Sequence, residues 1–135
     1  MLAREIRNDE AVHARPTILV AEDHIDSADA MRALLEAFGY RVLLAGNGRQ
    51  AIDTASRERP DLILMDIMMP ELDGFEAMRR LRKDRALADI PIIAVTAMDG
   101  AQELAIAAGA NDCVRKPVDI RGLLAKVDTW LDPRN

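Results

Sequence analysis

The sequence predicts a doubly wound α/β domain: a five-stranded parallel sheet in the order 2-1-3-4-5 with helices on both faces. Three observations carry this. Five short apolar runs recur along the chain: TILVA (17–21), RVLLA (41–45), DLILM (61–65), PIIAV (91–95) and DCVRK (112–116). Stretches with helical period alternate with them, which is the pattern of successive βαβ units. TILV, LILM and IIAV show no polar alternation, as expected of strands covered on both faces, whereas RVLLA and DCVRK are more polar and suit the edges. Right-handed crossovers leave 3-2-1-4-5-6 and 2-1-3-4-5 as the common orders, and the strand count favours the second.

The helices follow in turn. Met31, Leu34, Leu35 and Phe38 fall at i, i+3, i+4 and i+7 and predict the apolar face of a first helix, with Gly39 at its C′ stop. A second helix over Gly48 to Arg57 carries Ala51, Ile52 and Ala55 on one side. Phe75, Met78 and Leu81 mark a third, and a short alanine-rich fourth runs from Ala101 to Ala108 and ends at Gly109. The fifth, Asp119 to Leu131, gathers Leu123, Leu124, Val127 and Leu131. Residues 1–15, mixed in charge, read as a mobile tail or a marginal helix outside the fold; 16–131 form the domain and 132–135 a C-terminal tail.

A chain of 135 residues has room for one proper core, and 50% hydrophobic with 30% charged residues is ordinary for a globular protein. No apolar run approaches the length of a membrane span, and MLAREIRNDE lacks the apolar region of a signal peptide. Cys113 is the only cysteine, which excludes a disulfide framework and a cysteine zinc cluster; a reducing cytoplasm fits. A net charge of −5 argues against a nucleic-acid partner. The densest basic stretch, RRLRKDR (79–85), reads as the solvated end of an amphipathic helix. Aromatics are 3% of the chain, so the core must be aliphatic.

In open α/β sheets, ligands bind beyond the carboxyl ends of the strands. Glu22 and Asp23 follow TILVA, Asp66 follows LILM, Thr96 follows IIAV, and CVR leads into Lys116. In the order 2-1-3-4-5 these strands are contiguous, so three acids, a hydroxyl and an ammonium converge on one edge. Carboxylates about 4 Å apart repel by roughly 4 kcal/mol at an effective dielectric near 20, so such a set either raises a pKa or recruits a cation. Magnesium suits the second outcome, because it takes one or two carboxylates, keeps waters and accepts phosphate oxygens. Asp23 and Asp66 supply the carboxylates, a main-chain carbonyl near Met68 a further oxygen, and Glu22 acts through water. Thr96 and Lys116 face the other side of an arriving phosphoryl group, and Asp66, between the metal and these donors, stands where a nucleophile belongs.

Each residue also has an ordinary reading. Asp66 can cap a turn, Asp23 with Asp26 can favour a helix N-terminus, Thr96 can simply end a strand, and Lys116 can be exposed. His24 reads as a turn residue, and Met68 and Met69 as packing. The coincidence of five polar groups on one edge lifts the set above these.

The segments ILVAEDH, PDLILMDIMMPELDGFE, IPIIAVTA and GANDCVRKPVD resemble the receiver domain of bacterial two-component response regulators, over residues 16–131. The resemblance implies a flavodoxin-like, stand-alone phosphorylation switch rather than a classical enzyme. A histidine kinase or histidine phosphotransfer protein donates phosphoryl to Asp66, and Glu22, Asp23, Asp66 and the Met68 carbonyl hold Mg²⁺. Thr96, the Ala97 backbone N–H and Lys116 hold the acyl phosphate, the Lys116–Pro117 bond is cis, and the donor docks around Ser27 to Leu35 and Pro117 to Asp119. The chain stops at WLDPRN, so output through an unidentified protein target or a phosphorelay is expected, without DNA binding or membrane insertion.

Two departures from the family pattern concern its output face. Cys113 occupies the position where most receivers carry Tyr or Phe, and the segment between Thr96 and Gly109 is shorter than usual. In the family, the side chains two positions beyond the phosphoacceptor and the threonine influence hydrolysis; here they are Met68 and Met98, which predicts a long-lived phosphoryl state. Two rivals remain. An Asp66-based phosphatase wants a second acid two residues on, where this chain has Met68. A receiver-fold binding module that works without phosphorylation stays open because of Cys113.

Overall fold

The computed structural model describes residues 15–69 and 72–132. Its elements are β1 (Thr17–Ala21), α1 (Ile25–Ala37), β2 (Arg41–Ala45), α2 (Gly48–Glu58), β3 (Leu62–Asp66), α3 (Gly74–Lys83), β4 (Ile92–Thr96), α4 (Ala101–Ala108), β5 (Asp112–Arg115) and α5 (Ile120–Leu131). The strands pair in parallel in the order β2-β1-β3-β4-β5, as expected. The expectations for residues 1–14 and 133–135 fall outside the described residues.

Strand side chains alternate between two aliphatic layers. Leu19, Ile63, Met65, Ile92 and Ala94 pack with Ala51 and Ala55 of α2, Met78 and Leu81 of α3 and Ala105 of α4. Ile18, Val20, Leu62, Leu64, Ile93 and Val114 pack with Leu35 of α1 and with Leu123 and Val127 of α5. Burying each large side chain contributes about 1.5–3 kcal/mol, so the central strands, buried on both faces, anchor the fold. β1, β3 and β4 are buried throughout, whereas β2 and β5 expose residues at the edges.

Local chemistry sets the helix ends. Asn47, Asp73 and Asp119 each accept a hydrogen bond from the backbone N–H three residues on (2.8, 2.9 and 3.1 Å), capping α2, α3 and α5. Asp119 therefore precedes α5 instead of opening it. Gly39 at φ +94° reverses the chain after α1, as predicted. Phe38 departs from its predicted core position: α1 ends at Ala37, Phe38 becomes the cap residue, and it is 60% exposed. Leu35 is buried and Met31 packs beside it, as predicted, while Ala28 completes the buried face of α1.

The basic stretch divides. Arg79 and Arg80 are exposed and pair with Glu76, as a solvated helix end requires. Arg82 does not behave this way. Its half-buried guanidinium donates to the carbonyls of Gly109 (2.8 Å), Ala88 (2.9 Å) and Ile90 (2.7 Å) and to Asn111 Oδ1 (2.6 Å). Among the described residues, no helix is long and apolar enough to cross a membrane.

Candidate functional site

The strand register levels the carboxyl ends of the central strands. Ala21 pairs with Met65, Asp66 with Val95, and Thr96 with Arg115. Glu22, Asp66, Thr96 and Lys116 thus leave four neighbouring strands at one height. Asp66 and Thr96 are the last residues of β3 and β4, one position later than the apolar runs alone mark. Glu22 continues the ladder, its N–H donating to the Ala45 carbonyl at 2.9 Å. The Lys116 N–H donates to the Thr96 carbonyl at 2.7 Å, which ties the fifth strand's exit to the fourth.

Close packing fixes the turn after β3. The Gly74 N–H donates to the Ile67 carbonyl at 2.9 Å. A Cβ on Gly74 would lie 2.6 Å from the Asp66 carbonyl oxygen and 2.7 Å from Ile67 Cα, far inside contact distance. Only glycine lets α3 start this close to the strand end that carries Asp66.

Asp66 is buried, and its two oxygens are used differently. Oδ1 accepts from the Met68 N–H at 3.0 Å, and Oδ2 accepts from Lys116 Nζ at 2.9 Å. The same ammonium reaches Glu22 Oε1 at 3.4 Å, and Glu22 Oε2 accepts from the His24 N–H at 3.1 Å. Oxygens of Glu22, Asp23 and Asp66 lie within 4.8 Å of one another. Thr96 is 1% exposed, and its Oγ1 accepts from the Met98 N–H at 2.9 Å. Both ordinary turn capping and a concentrated charge cluster are therefore present at Asp66.

The electrostatics follow from this crowding. Burial raises the Glu22 pKa and Asp66 adds to the rise, against the lowering by the His24 N–H and Lys116; the net shift is upward. For Lys116, burial works to lower the pKa, but the hydrogen bond and charge of Asp66, then the charge of Glu22, outweigh it and hold the ammonium above its ordinary range. One ammonium against three acids leaves surplus negative charge. The donor set, all carboxylate oxygen and partly open to solvent, fits a hard divalent cation such as Mg²⁺.

The remaining predicted residues take up the rim. Met68 is 63% and Met98 37% exposed, Ala97 is exposed directly after Thr96, and His24 stands exposed at the N-cap position of α1 without a side-chain cap bond. The Lys116–Pro117 bond is cis, as the resemblance implied. A cavity of about 250 Å³ beside the acids is lined by Glu22, Ser27, Met31, Asp66, Lys116 and Pro117. Ser27 and Met31, one turn apart on α1, lie within the segment that the resemblance assigns to donor docking, and Met31 also belongs to the apolar face read from the sequence. Ile25, the first residue of α1, and Ile120, the first of α5, are exposed. A larger groove of about 830 Å³ runs along α4 and β5, with Thr96, Met98, Ile106, Cys113 and Arg115 on its walls. Arg115 is paired with Asp99 there.

A three-acid cluster with a lysine and a threonine, at the switch edge of a 2-1-3-4-5 sheet, defines the receiver class of signalling domains. The chain belongs to the response regulator receiver domain family, whose family model matches residues 18–128. It is 37% identical to the polar-differentiation response regulator DivK of Brucella anthropi over 117 residues, 85% of this chain and 95% of that protein. It is 40% identical to protein PilH of Pseudomonas aeruginosa over 116 residues, 84% and 96% of the two chains. Among solved structures, the receiver domain of the sensor histidine kinase PA1611 of Pseudomonas aeruginosa, with magnesium coordinated in its active-site cleft, is similar at a TM-score of 0.81. That pair is 38% identical, with 87% of this chain and 98% of the other covered.

Proposed function

We propose that residues 16–131 form a Mg²⁺-dependent phosphoryl acceptor, with Asp66 as the accepting residue. The observation that carries this is the placement of one buried carboxylate between two further acids and the Lys116 ammonium. An Asp66 oxygen attacks phosphorus, the bond from phosphorus to a donor histidine nitrogen breaks, and the phosphoryl group comes to rest as an acyl phosphate. Lys116 and Thr96 carry donors for its oxygens, together with the Ala97 backbone N–H. Glu22, Asp23, Asp66 and the Met68 carbonyl would hold Mg²⁺, which supplies charge neutralisation for the transferring group. The magnesium in the PA1611 receiver domain supports this assignment.

The donor is a histidine kinase or histidine phosphotransfer protein. It docks over Ser27 to Leu35 and Pro117 to Asp119, segments that contribute Ser27, Met31, Pro117 and Val118 to the cavity reaching Asp66. Output passes through a protein target or a phosphorelay. Met68 and Met98 orient no water, so the phosphoryl state is long-lived; loss of label within seconds, or an unchanged lifetime in Met68→Asn, contradicts that part.

Incubation with acetyl phosphate and Mg²⁺, followed by a phosphate-affinity gel, tests the central reading. A retarded band that EDTA and Asp66→Asn both abolish is expected, and no retardation overturns it. The groove beside Cys113 favours a second reading, a binding module independent of phosphorylation; target binding unchanged by Asp66→Asn would select it.

A further inference from the structure

Methionine is unevenly distributed between core and surface. Met65 and Met78 are fully buried, Met69 is 8% exposed, and Met31 is half-buried against the inner cavity. Met68 and Met98 alone among the described methionines are exposed, and each stands two residues beyond a side chain of the site, Asp66 or Thr96. Each is also wired to a functional side chain, since its N–H is donated to Asp66 Oδ1 or to Thr96 Oγ1. An exposed thioether is a poor packing element but an accessible two-electron reductant.

We infer that Met68 and Met98 form a peroxide-sensitive pair whose oxidation shortens the life of the phosphoryl group on Asp66. This rests on the phosphoacceptor reading above. The thioether sulfur attacks one oxygen of hydrogen peroxide, a sulfur–oxygen bond forms, the O–O bond breaks and water leaves. Sulfur is oxidised by two electrons and the peroxide is reduced. The product side chain is no longer apolar, because its S=O group is a hydrogen-bond acceptor. Two such acceptors at the rim replace a surface that cannot orient water with one that can, beside an acyl phosphate whose breakdown requires water. Reduction by a methionine sulfoxide reductase reverses the change.

Cys113 is the obvious competing target, since it lines the same groove as Met98. Burial, and then Asp112, pushes its thiol pKa up, so little of the reactive thiolate is present near neutral pH. A Met68→Leu/Met98→Leu variant keeps Cys113 and so separates its contribution from theirs.

The test has two arms. Unlabelled protein is treated with hydrogen peroxide and mapped by peptide mass. Gains of about 16 Da at Met68 and Met98 ahead of Met65, Met69 and Met78 are expected. Oxidised and untreated samples are then labelled with acetyl phosphate and Mg²⁺, and the decay of label is followed. Decay faster by at least about threefold after oxidation is expected, a small fraction of what a well-positioned acid–base group provides. Reductase treatment should restore the slow decay, and peroxide should leave the decay of a Met68→Leu/Met98→Leu protein at that protein's own baseline. Oxidation that reaches the buried methionines first, equal decay of oxidised and untreated samples, or an equal peroxide response in the double variant overturns the inference. Failure of every sample to take label defeats the phosphoacceptor reading and the inferred consequence together, and the mass map, read on unlabelled protein, tells that failure apart.

Discussion

Lys116 reaches across 50 residues of chain to place its Nζ 2.9 Å from Asp66 Oδ2, and the same atom lies 3.4 Å from Glu22 Oε1. A single ammonium thus bridges two of the three clustered acids and serves as their internal counter-charge. Any divalent ion entering the cluster competes with it for those oxygens. Lys116→Ala removes the bridge and leaves the acids to repel. Because the lysine is 37% exposed, the expected loss of metal-free stability is about 1–3 kcal/mol, between the values for surface and buried pairs. Mg²⁺ should recover part of that loss and should bind the variant more tightly than the parent. Urea unfolding in EDTA and in millimolar Mg²⁺, with calorimetric titration, checks both; equal unfolding midpoints for parent and variant in EDTA would refute the bridge.

At the opposite end of the sheet, Arg82 joins three backbone carbonyls and Asn111 in one planar fork. Asn111 Oδ1 also accepts from the Ile92 N–H at 2.8 Å, so the entries to β4 and β5 are stitched through this residue. Burial lowers the guanidinium pKa from its usual value, yet its charge remains and makes these strong hydrogen bonds. Arg82→Lys keeps the charge but cannot span the fork, leaving carbonyls without donors. We expect a loss of about 2–4 kcal/mol in urea unfolding. Acetyl phosphate labelling of Asp66 should stay within about twofold, since the network lies at the other end of the sheet from Asp66. A loss below that range would return Arg82 to the solvated helix end its neighbours form.

That contrast shows which features were legible in the sequence. Strand order followed from five apolar runs and the rule on crossover hand, and the convergence of Glu22, Asp66, Thr96 and Lys116 on one edge followed because these residues lie at the ends of those runs. Such features are local, or nearly so. Arg82 was misjudged because its partners are backbone carbonyls 6 to 27 residues away, and a carbonyl has no signature in a sequence. The contact between Lys116 and Glu22, 94 residues apart, was hidden for a different reason: the register that closes it exists only in the folded sheet. Phe38 was misplaced by a single helical position, because Gly39 ends α1 before the apolar stripe does. Small residues were undervalued as well. Ala28 completes the buried face of α1, and a methyl group gives a periodicity reading little to detect.

The carboxylate of Asp112 couples the edge strand to the last helix. It accepts from Trp130 Nε1 at 3.0 Å, from Lys126 Nζ at 3.0 Å and from the Cys113 N–H at 2.8 Å. Burial acts to raise its pKa, but these three donors outweigh it and hold the group below the ordinary carboxylate range. A carboxylate depressed in the folded state contributes stability above its unfolded pKa, and that contribution is lost as pH falls through the folded value. Trp130→Phe retains most of the ring packing and deletes one donor. Its stability deficit, about 1 kcal/mol at neutral pH, should shrink as pH drops below the ordinary carboxylate range. Thermal unfolding from pH 7 to pH 3 measures this, and a deficit independent of pH would show that packing alone holds α5.

Thr96 is buried with its hydroxyl oxygen engaged by the Met98 N–H. If that hydroxyl turns toward a phosphoryl group on Asp66, the Met98 hydrogen bond must break and the backbone from Ala97 onward must readjust. Cys113, half-buried on β5, has no ring to move, and the groove beside it is already open. Rearrangement is therefore expected in the backbone from Ala97 to Ala105 rather than in a side-chain rotation. Backbone amide chemical shifts with and without beryllofluoride and Mg²⁺, which together mimic the acyl phosphate, report this directly. Shifts concentrated in that segment are expected, and Asp66→Asn should remove them. Identical spectra in the segment for a protein that demonstrably binds beryllofluoride would show that phosphoryl capture at Asp66 stays local.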